Sequence, residues 1–445
     1  MCLKKCIIKG TLVYAMKETR FPQGNWNAAL NGIISAFMVV VLLGTQSDSA
    51  FSSPLRELGQ EQLAPVETIV NKSVLEGKIP GAVILIGNSE KVFYRRAFGY
   101  RAVEPEKIPM TEDTVFDLAS LTKVIATTIA VMQLVENGKL ELGDTVTKYW
   151  PAFKAKGKGS ITLRHLLTHY SGLRPGLDMA DITPGPRGYE TAMQRIVREK
   201  PLHPPGRVYL YSDINFEILG ELVRRVSRQP LDEYCAKHIF EPLGMRDTFF
   251  KPSSSMRCRI APTEVVHGKL LHGEVHDPAC LTMGGVSGHA GLFSTADDLS
   301  LFARMLLNRG SLGGVKILNA HSVEQMTTPQ VPSQKTKLRG LGWDIEAPFC
   351  SNREEFSAGA YGHLGYTGTA IWIDPVSDTY IIVLTNRVHP DGKGDVRELR
   401  AGIKSAVSQA MGPVSCVQIL SKLPSLSGYC RDRHYVSKRV HANRS

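Results

Sequence analysis

The sequence predicts an α+β fold in which an antiparallel sheet, flanked by helices, carries an inserted all-helical subdomain. Strand-like apolar runs lie near both ends of the body of the chain, at residues 81–94 and 369–385. Helical patterns fill most of the sequence between them. Strands at both ends that enclose a long helical stretch are typical of one sheet whose two halves are separated in the chain by an insertion.

The first elements follow from apolar spacing and turn residues. Residues 62–77 place apolar side chains at helical intervals, and residues 81–87 form a continuous apolar run typical of a buried strand. Asn88 and Ser89 predict a turn into a second strand at 91–94. A helix is predicted from Ser120 to about Glu136, where Asn137 and Gly138 end it.

The middle of the chain predicts the helical subdomain, at about 140–285. Its predicted helices lie at 161–169, 190–199, 214–227 and 231–239. A further helix follows Thr295, which is a plausible N-cap with Asp298 three residues on. Strands 369–373 and 379–385 flank the turn residues 374–378, and a last helix is predicted at 396–411.

Both ends of the chain differ from this body. Residues 1–50 place Lys17 and Arg20 before an apolar run at 33–43. This run is shorter than the roughly 20 residues that a membrane span needs, so a signal peptide or an anchor is predicted. The protein is therefore expected to be exported to the periplasm or outside the cell, with possible membrane attachment through this segment. Residues 413–445 are predicted to be a basic tail.

Charge and cysteine usage exclude several classes of function. The net charge of +11 is concentrated in the two ends, and the body carries no basic, aromatic-rich stripe of the kind that binds nucleic acid. The six cysteines after the apolar run are scattered without the spacing of a zinc site, so no metal and no cofactor are expected. Export permits disulfides, and Cys416–Cys430 is the pair to test first, although sequence alone does not settle any pairing.

Chemistry is suggested first by Ser120 and Lys123. Residues three apart in a helix share one face, so the lysine amine can meet the serine hydroxyl. A serine hydroxyl is a poor nucleophile until a base removes its proton. The apolar residues that follow are expected to bury the turn and lower the pKa of Lys123, which would supply a neutral amine. Alone, such a four-residue pattern is weak.

Two later segments strengthen this interpretation. Tyr211 and Asp213 follow a Pro-Gly turn, and a phenol there could relay the proton of the serine. Residues 362–369 open the last pair of strands, and Gly365 would let a substrate lie against the strand because no side chain blocks it.

These three segments, in this order, resemble the signature of the active-site serine penicillin-binding proteins and β-lactamases. The Tyr-x-Asp at 211–213 stands where that family has Tyr-x-Asn, and His-Leu-Gly at 363–365 stands where it has Lys-Thr-Gly. The chain is most similar to the class C branch, in which His-x-Gly is frequent. The stretches 284–295 and 384–390 resemble a bacterial subgroup that includes penicillin-binding protein 4B and the exolytic muramyl-alanine amidases. The resemblance covers roughly residues 60–411.

The resemblance implies a role for each matched residue. Ser120 attacks a carbonyl carbon, and Lys123 and Tyr211 share the proton transfer. The backbone N–H groups of Ser120 and of Tyr366, which follows Gly365, would form an oxyanion hole.

Two departures from the family pattern bear on the substrate. Asp213 replaces the usual Asn, and a carboxylate accepts hydrogen bonds but does not donate them. His363 replaces Lys, which leaves only a weak cation near neutral pH to bind the carboxylate of a penicillin. A poor β-lactamase is therefore expected.

The predicted protein is a serine hydrolase, over about residues 54–412, that acts through an acyl-enzyme on small amides or esters, with cell-wall muropeptides as the favoured substrates. Two alternatives are a carboxylesterase and a penicillin-binding sensor with little turnover. A third is a cytosolic enzyme whose N-terminus has been misread. His165, His169 and His289 are interpreted as structural, and His276 and Asp277 as possible residues of the site wall.

Overall fold

Seven strands form one antiparallel sheet that joins the two ends of the body of the chain. The computed structural model describes residues 60–178, 188–330, 338–345 and 359–412. All of them fall in the larger of the two units into which the chain divides, Glu57–Ser445.

Strands and α-helices of very different lengths make up the described residues. The strands are β1 (Gly81–Gly87), β2 (Val92–Ala102), β3 (Ile108–Pro109), β4 (Phe116–Asp117), β5 (Phe249–Phe250), β6 (Val265–Val266), β7 (Lys269–Leu270), β8 (Leu292–Ser294), β9 (Ser311–Leu312), β10 (Val315–Lys316), β11 (Asp344–Ile345), β12 (Tyr361–Leu364), β13 (Ala370–Asp374) and β14 (Thr379–Thr385). The α-helices are α1 (Ala64–Leu75), α2 (Thr128–Glu136), α3 (Val146–Tyr149), α4 (Leu163–Leu167), α5 (Gly188–Arg198), α6 (Asp213–Ser227), α7 (Leu231–Cys235), α8 (Glu241–Leu243), α9 (Pro278–Thr282), α10 (Ala296–Leu307), α11 (Ala320–Thr327) and α12 (Arg397–Met411).

The order of strands in the large sheet is β11-β12-β13-β14-β1-β2-β3. Strand β1 pairs antiparallel with β14, with Ala82 opposite Thr385, and with β2 on its other side. The first hairpin of the body therefore lies beside its last strand. This arrangement confirms the predicted α+β fold with an antiparallel sheet split by an insertion.

Both faces of the sheet are covered, which explains the unbroken apolar run in β1. Ala82, Ile84 and Ile86 face one hydrophobic cluster, which also holds residues of α1 and α12. Val83 and Leu85 face the other and larger cluster, which holds residues of α2, α6 and α10. A strand buried on both faces shows continuous rather than alternating hydrophobicity.

The insertion at about 140–285 is mostly helical, but it also contains three short strands. Strand β5 pairs with β8, which pairs in turn with β4, and β6 and β7 form a hairpin. The expectation that this subdomain is entirely helical is therefore corrected. A strand of two residues such as β5 is too short to show the alternation of apolar and polar residues that predicts a strand. Its pairing depends on β8, which is distant in the chain.

The predicted helix from Ser120 to Glu136 is present, but it is not uniform. A 3₁₀ turn (Ala119–Leu121) leads into one turn of π-helix (Lys123–Thr127), and α2 completes it. By length and composition alone, Ala119–Glu136 is the one stretch of the described residues that could cross a membrane. However, 78% of it is buried inside the protein, as expected of a core helix. Further on, Thr295 is the N-cap of α10, as predicted, and accepts a hydrogen bond from the backbone N–H of Asp298.

Several predictions fall outside the described residues. They are the signal peptide or anchor at 1–50, the basic tail at 413–445 and the pair Cys416–Cys430. Within the described ranges, Cys235, Cys258 and Cys280 are free thiols.

Candidate active site

Ser120 lies at the start of the buried central helix, directly after a tight turn. Ala119 adopts a positive φ of 47°, which is uncommon for a residue with a side chain. The turn is held by the buried Asp117, whose Oδ1 accepts a hydrogen bond of 2.8 Å from the backbone N–H of Ala119. This geometry leaves Ser120 partly exposed while the rest of the turn is buried.

Lys123 lies beside Ser120 and is fully buried, with a side-chain exposure of 0%. Its Nζ donates a hydrogen bond of 2.8 Å to Ser120 Oγ and one of 3.1 Å to the backbone carbonyl of His289. The same Nζ is 2.7 Å from Asp213 Oδ1, a close ion pair although its geometry is poor for a well-directed hydrogen bond. One ammonium group therefore joins the serine, the aspartate and a main-chain carbonyl.

The charge of Lys123 differs from the sequence-based expectation. Burial alone would lower its pKa, but the nearby Asp213 and Tyr211 more than offset this effect, and the pKa is raised above its usual value. Lys123 is therefore a cation near neutral pH, and the predicted neutral amine is corrected. The apolar neighbours were visible in the sequence, whereas the approach of Asp213 depends on the packing of α6.

Tyr211 forms the wall of the site beside the lysine. Lys123 Nζ is 5.1 Å from the centre of its ring. The ring of His169 stacks on the ring of Tyr211, with centroids 4.4 Å apart and an interplanar angle of 29°. Burial holds the pKa of His169 well below its usual value, so this imidazole is neutral. Its Nδ1 accepts a hydrogen bond of 3.1 Å from the backbone N–H of Ser212, which fixes the segment that carries Tyr211.

The other histidines have distinct surroundings. His165 is part of a capping box with Thr162 at the start of α4. His289 is buried in an ionic cluster with Asp277 and Glu217. His276 borders the site, since its ring stacks on Tyr366 with centroids 5.6 Å apart.

His363 is in β12 and is almost entirely buried. Burial lowers its pKa to about 3, with only partial opposition from Asp344. Its ring is therefore neutral across the physiological range, in line with the weak cation expected from the sequence. The rings of Tyr211 and His363 have centroids 6.2 Å apart, so both segments reach the same site.

The structure adds a packing reason for glycine at position 365. A Cβ atom at this position would meet Leu118 O at 2.6 Å and would also overlap Thr369 Oγ1. The missing side chain thus allows the end of β12 to approach the turn before Ser120, and the approach of a substrate to this strand stays a prediction. Thr369 Oγ1 donates to Leu118 O at 3.0 Å, and Thr367 Oγ1 donates to Asp117 O at 2.8 Å, which fastens the two segments together.

Replacing Gly365 by Ala is therefore expected to destabilise the fold by about 2 kcal/mol, as overpacking of a filled site does. Thermal unfolding measures this loss, and labelling of Ser120 by a fluorophosphonate should slow because Tyr366 is displaced. The matched control is Gly143→Ala, since Gly143 is not among the glycines with a positive φ and a Cβ there meets no atom within 4 Å. Equal stability of Gly365→Ala and the wild type would contradict the tight packing.

Tyr366 presents an N–H group at the turn beside Ser120 and a side chain that is 62% exposed. No hydrogen bond of its N–H is found within the described residues. Arg387 Nε donates to the backbone carbonyl of Tyr366 at 2.8 Å, and its guanidinium lies 4.5 Å from the ring centre. The N–H of Ser120 belongs to the first turn of a helix, where such groups lack partners within the helix. Both groups are thus free to hold an oxyanion.

The structure brings together all seven residues singled out in the sequence. Around them it adds residues that the sequence analysis did not assign to the active site: Asp117, His169, Glu217, Thr367 and Thr369. The sequence did not identify these five residues as part of the site, because isolated polar residues are common in any chain. Only tertiary packing places them at the site. Within the described ranges, no group of three or more His, Cys, Asp or Glu is arranged to hold a metal ion.

Comparisons with known proteins agree with this geometry. A family model described as Beta-lactamase matches residues 55–404. A protein of Escherichia coli strain K12, provisionally named a D-alanyl-D-alanine carboxypeptidase, is 33% identical over 367 residues, which is 74% of this chain and 83% of that protein.

Two solved structures share the fold. EstCE1, described as a hydrolase with promiscuous acyltransferase activity, is 25% identical with a TM-score of 0.66, and the match covers 78% of this chain and 99% of that one. The octameric penicillin-binding protein homologue from Pyrococcus abyssi is 26% identical with a TM-score of 0.63, covering 81% and 78%.

Proposed function

Since this chain belongs to the β-lactamase family of serine hydrolases, we propose that it is an exported enzyme that opens small amides or esters derived from cell-wall muropeptides. The observation that carries the proposal is the contact of Lys123 with both Ser120 Oγ and Asp213 Oδ1. This contact places a cation and a carboxylate beside the hydroxyl of a partly exposed serine, which is the nucleophile. The reaction proceeds through an acyl-enzyme on Ser120.

In the proposed acylation, Ser120 Oγ forms a bond to the substrate carbonyl carbon, and the π electron pair of the carbonyl moves onto its oxygen. The N–H groups of Ser120 and Tyr366 stabilise this oxyanion. When the oxyanion collapses, the bond to the leaving amine or alcohol breaks and the leaving group takes up a proton. Water then attacks the acyl group and releases Ser120.

The proton of Ser120 has two routes. In the first route Lys123 is the acceptor. Because Lys123 is already a cation, it must first transfer one of its own protons to Asp213, whose Oδ1 is 2.7 Å from Lys123 Nζ, and the neutral amine then takes up the proton of Ser120. Tyr211 is the other acceptor, but only as a phenolate that has already released its own proton to solvent, and the Lys123 ammonium beside it stabilises that anion. In both routes Lys123 also supplies the positive charge that orients Ser120 Oγ.

The charges around the site favour substrates without a carboxylate at the leaving group. Asp213 is 32% exposed and would repel such a carboxylate, and His363 is neutral. The two arginines nearest the end of β12 are engaged with main-chain carbonyls: Arg387 with Tyr366 and Gly394, and Arg400 with Gly365 and Thr369. These features support an amide or ester hydrolase with poor activity on penicillins.

Export is proposed from the N-terminal segment and from the envelope functions named among the relatives. Cell fractionation of the full-length protein tests it. Recovery in the periplasm or membrane supports the proposal, whereas recovery of an unprocessed protein in the cytoplasm contradicts it.

Intact-mass spectrometry after treatment with a fluorophosphonate tests the acyl-enzyme, followed by assays with p-nitrophenyl esters and muramyl peptides. One adduct on Ser120 together with turnover of muramyl peptides would support the amidase. One adduct with ester turnover alone would favour a carboxylesterase, which the likeness to EstCE1 makes the second candidate. Stoichiometric labelling by a penicillin without turnover would identify a sensor.

The ion pair of Lys123 with Asp213 yields a prediction on specificity. In Asp213→Asn the site loses a negative charge and gains an amide that can donate as well as accept. Labelling of Ser120 by a fluorescent penicillin is expected to accelerate about tenfold or more, because the repulsion of the penicillin carboxylate is removed. The proton of Ser120 still has an acceptor, since Lys123 loses the carboxylate that contributes most to raising its pKa and can take up the proton itself. Asp232→Asn is the control, since Asp232 pairs with Lys251 in the insertion. An unchanged or slower labelling rate in Asp213→Asn would exclude Asp213 as the residue that rejects penicillins.

A further inference from the structure

A second buried ionic cluster touches the active site through one main-chain carbonyl. His289 is almost fully buried, with Nε2 2.9 Å from Asp277 Oδ1 and Nδ1 2.8 Å from Ser287 Oγ. Its backbone carbonyl accepts the hydrogen bond of 3.1 Å from Lys123 Nζ. A single residue thus links the side chains of this cluster to the proposed catalytic lysine.

The loop that carries His289 is fixed on both sides. The backbone carbonyl of Gly288 accepts a hydrogen bond of 2.7 Å from Thr127 Oγ1 in the central helix. Gly288 also packs so closely on α6 that a Cβ atom there would overlap the backbone carbonyl of Phe216. A shift of the His289 ring would therefore be transmitted to its carbonyl rather than absorbed by a flexible loop.

Glu217 is the unusual member of the cluster. It lies one helical turn after Asp213 in α6, and its side chain is 1% exposed. Its Oε1 is 3.4 Å from His289 Nδ1, yet neither carboxylate oxygen accepts a hydrogen bond within the described residues. A buried carboxylate without donors is costly, so its ionised form depends on the positive charge of His289.

The charges facing this pair come from several elements. Asp277 and Asp213 add negative charge next to Glu217, and Lys123 adds a positive one. Arg224, Asp232 and Lys251 line a cavity of about 230 Å³ on the other side of Glu217. Arg224 is paired with Glu221, and Lys251 is paired with Asp232.

These surroundings place the titration of the pair near neutrality. Burial raises the pKa of Glu217 to about 7, with Asp213 and Asp277 acting in the same direction and His289 opposing them. Burial would lower the pKa of His289, but Asp277 outweighs it and the value is raised to about 9. Below about pH 7 the cluster therefore holds a neutral Glu217 beside a cationic His289, and between about pH 7 and pH 9 it holds an ion pair.

We propose that Glu217, His289 and Asp277 are positioning residues for acylation, which act on Lys123 through the backbone carbonyl of His289. This inference rests on the proposed acyl-enzyme function of Ser120. The ionised Glu217 holds the His289 imidazolium, the imidazolium sets the orientation of the His289 backbone carbonyl within the fixed loop, and this carbonyl holds Lys123 Nζ between Ser120 and Asp213. None of the three side chains touches the substrate.

The test is the pH dependence of kcat/KM for hydrolysis of p-nitrophenyl acetate. For the wild type, kcat/KM should rise between pH 6 and pH 8 with an inflection near 7, because the ionised Glu217 keeps Lys123 in place. Glu217→Gln mimics the neutral form at every pH. Its kcat/KM should therefore lack this inflection and at pH 8 fall about tenfold, within the range that a displaced catalytic group costs.

The effect should fall on kcat and leave KM unchanged, since Glu217 does not contact the substrate. Glu217→Asp keeps a carboxylate and should retain an inflection. Glu221→Gln is the matched control, because Glu221 lies one turn further along α6 and is paired with Arg224 and Arg225 rather than with His289. Its profile should keep the shape of the wild type.

A Glu217→Gln profile that superimposes on that of the wild type would overturn the inference. Fluorophosphonate labelling separates this result from a failure of the proposed function. If the wild type is not labelled on Ser120, the proposed function fails. If it is labelled at the same pH-dependent rate in both proteins, only the positioning role fails. Thermal unfolding of Glu217→Gln should show a folded protein, because a neutral amide replaces a buried carboxylate.

Discussion

Replacing Ser120 by Ala is expected to reduce turnover of esters and amides by about 10⁴-fold or more, the loss typical of removing a catalytic nucleophile. Without Oγ no acyl-enzyme forms, and the fluorophosphonate adduct should disappear from the intact mass. The fold should be unaffected, since Lys123 keeps its contacts with Asp213 and with the backbone carbonyl of His289. Circular dichroism and thermal unfolding would check this.

The matched control for this variant is Ser253→Ala, an exposed serine in the insertion whose hydroxyl contacts only Ser255 among the described residues. It should be labelled and turn over substrate like the wild type. Retained turnover in Ser120→Ala would mean that the nucleophile is another residue. An adduct elsewhere on the chain would locate that residue by peptide mapping.

Much of this site could be predicted because its residues sit at fixed spacing within single elements. Ser120 and Lys123 are three residues apart on one helix, and the contact of 2.8 Å between them follows from helical geometry. The apolar run of β1 likewise indicated a strand. In these places a local pattern determines the structure.

Other features depend on which elements the fold brings together, and the sequence could not reveal them. Lys123 has apolar sequence neighbours, which suggested a lowered pKa, but the carboxylate of Asp213 comes from a helix ninety residues away and reverses the shift. The close packing at Gly365, where a Cβ atom would lie 2.6 Å from Leu118 O, involves the turn after β4, a strand that belongs to a different sheet from β12. Long-range contacts of this kind carry no signal in local spacing.

Lys123 provides the second large expected effect. In Lys123→Met a neutral side chain of similar length fills the same buried space, so the change removes the charge and little volume. Ser120 then loses its hydrogen-bond donor, and neither proton route remains complete: Asp213 has no intermediary, and Tyr211 has no cation beside it. Acylation of Ser120 should slow by about 10³-fold, as expected when general base catalysis and charge stabilisation are lost together.

The stability of Lys123→Met should behave differently from its activity. Replacing both members of a buried ion pair by neutral groups is often neutral or stabilising, and removing one member is costly mainly when the other is left buried without water or a new partner. Asp213 is left without its partner, but it is partly exposed and can be hydrated. We therefore expect a midpoint of thermal unfolding that is equal to that of the wild type or higher.

Lys158→Met is the control that separates a catalytic lysine from a structural one. Lys158 is also fully buried, but its Nζ donates to the backbone carbonyls of Ala155, Val197 and Glu199, away from the serine. Removing it leaves three buried acceptors without a donor, so stability should fall while the folded fraction keeps its labelling rate. The opposite pattern in Lys123→Met, with activity lost and stability retained, would show that this buried charge is kept for the reaction and not for the fold. If Lys123→Met instead unfolded and its folded fraction labelled normally, Lys123 would be a structural residue and Tyr211 alone would have to activate Ser120.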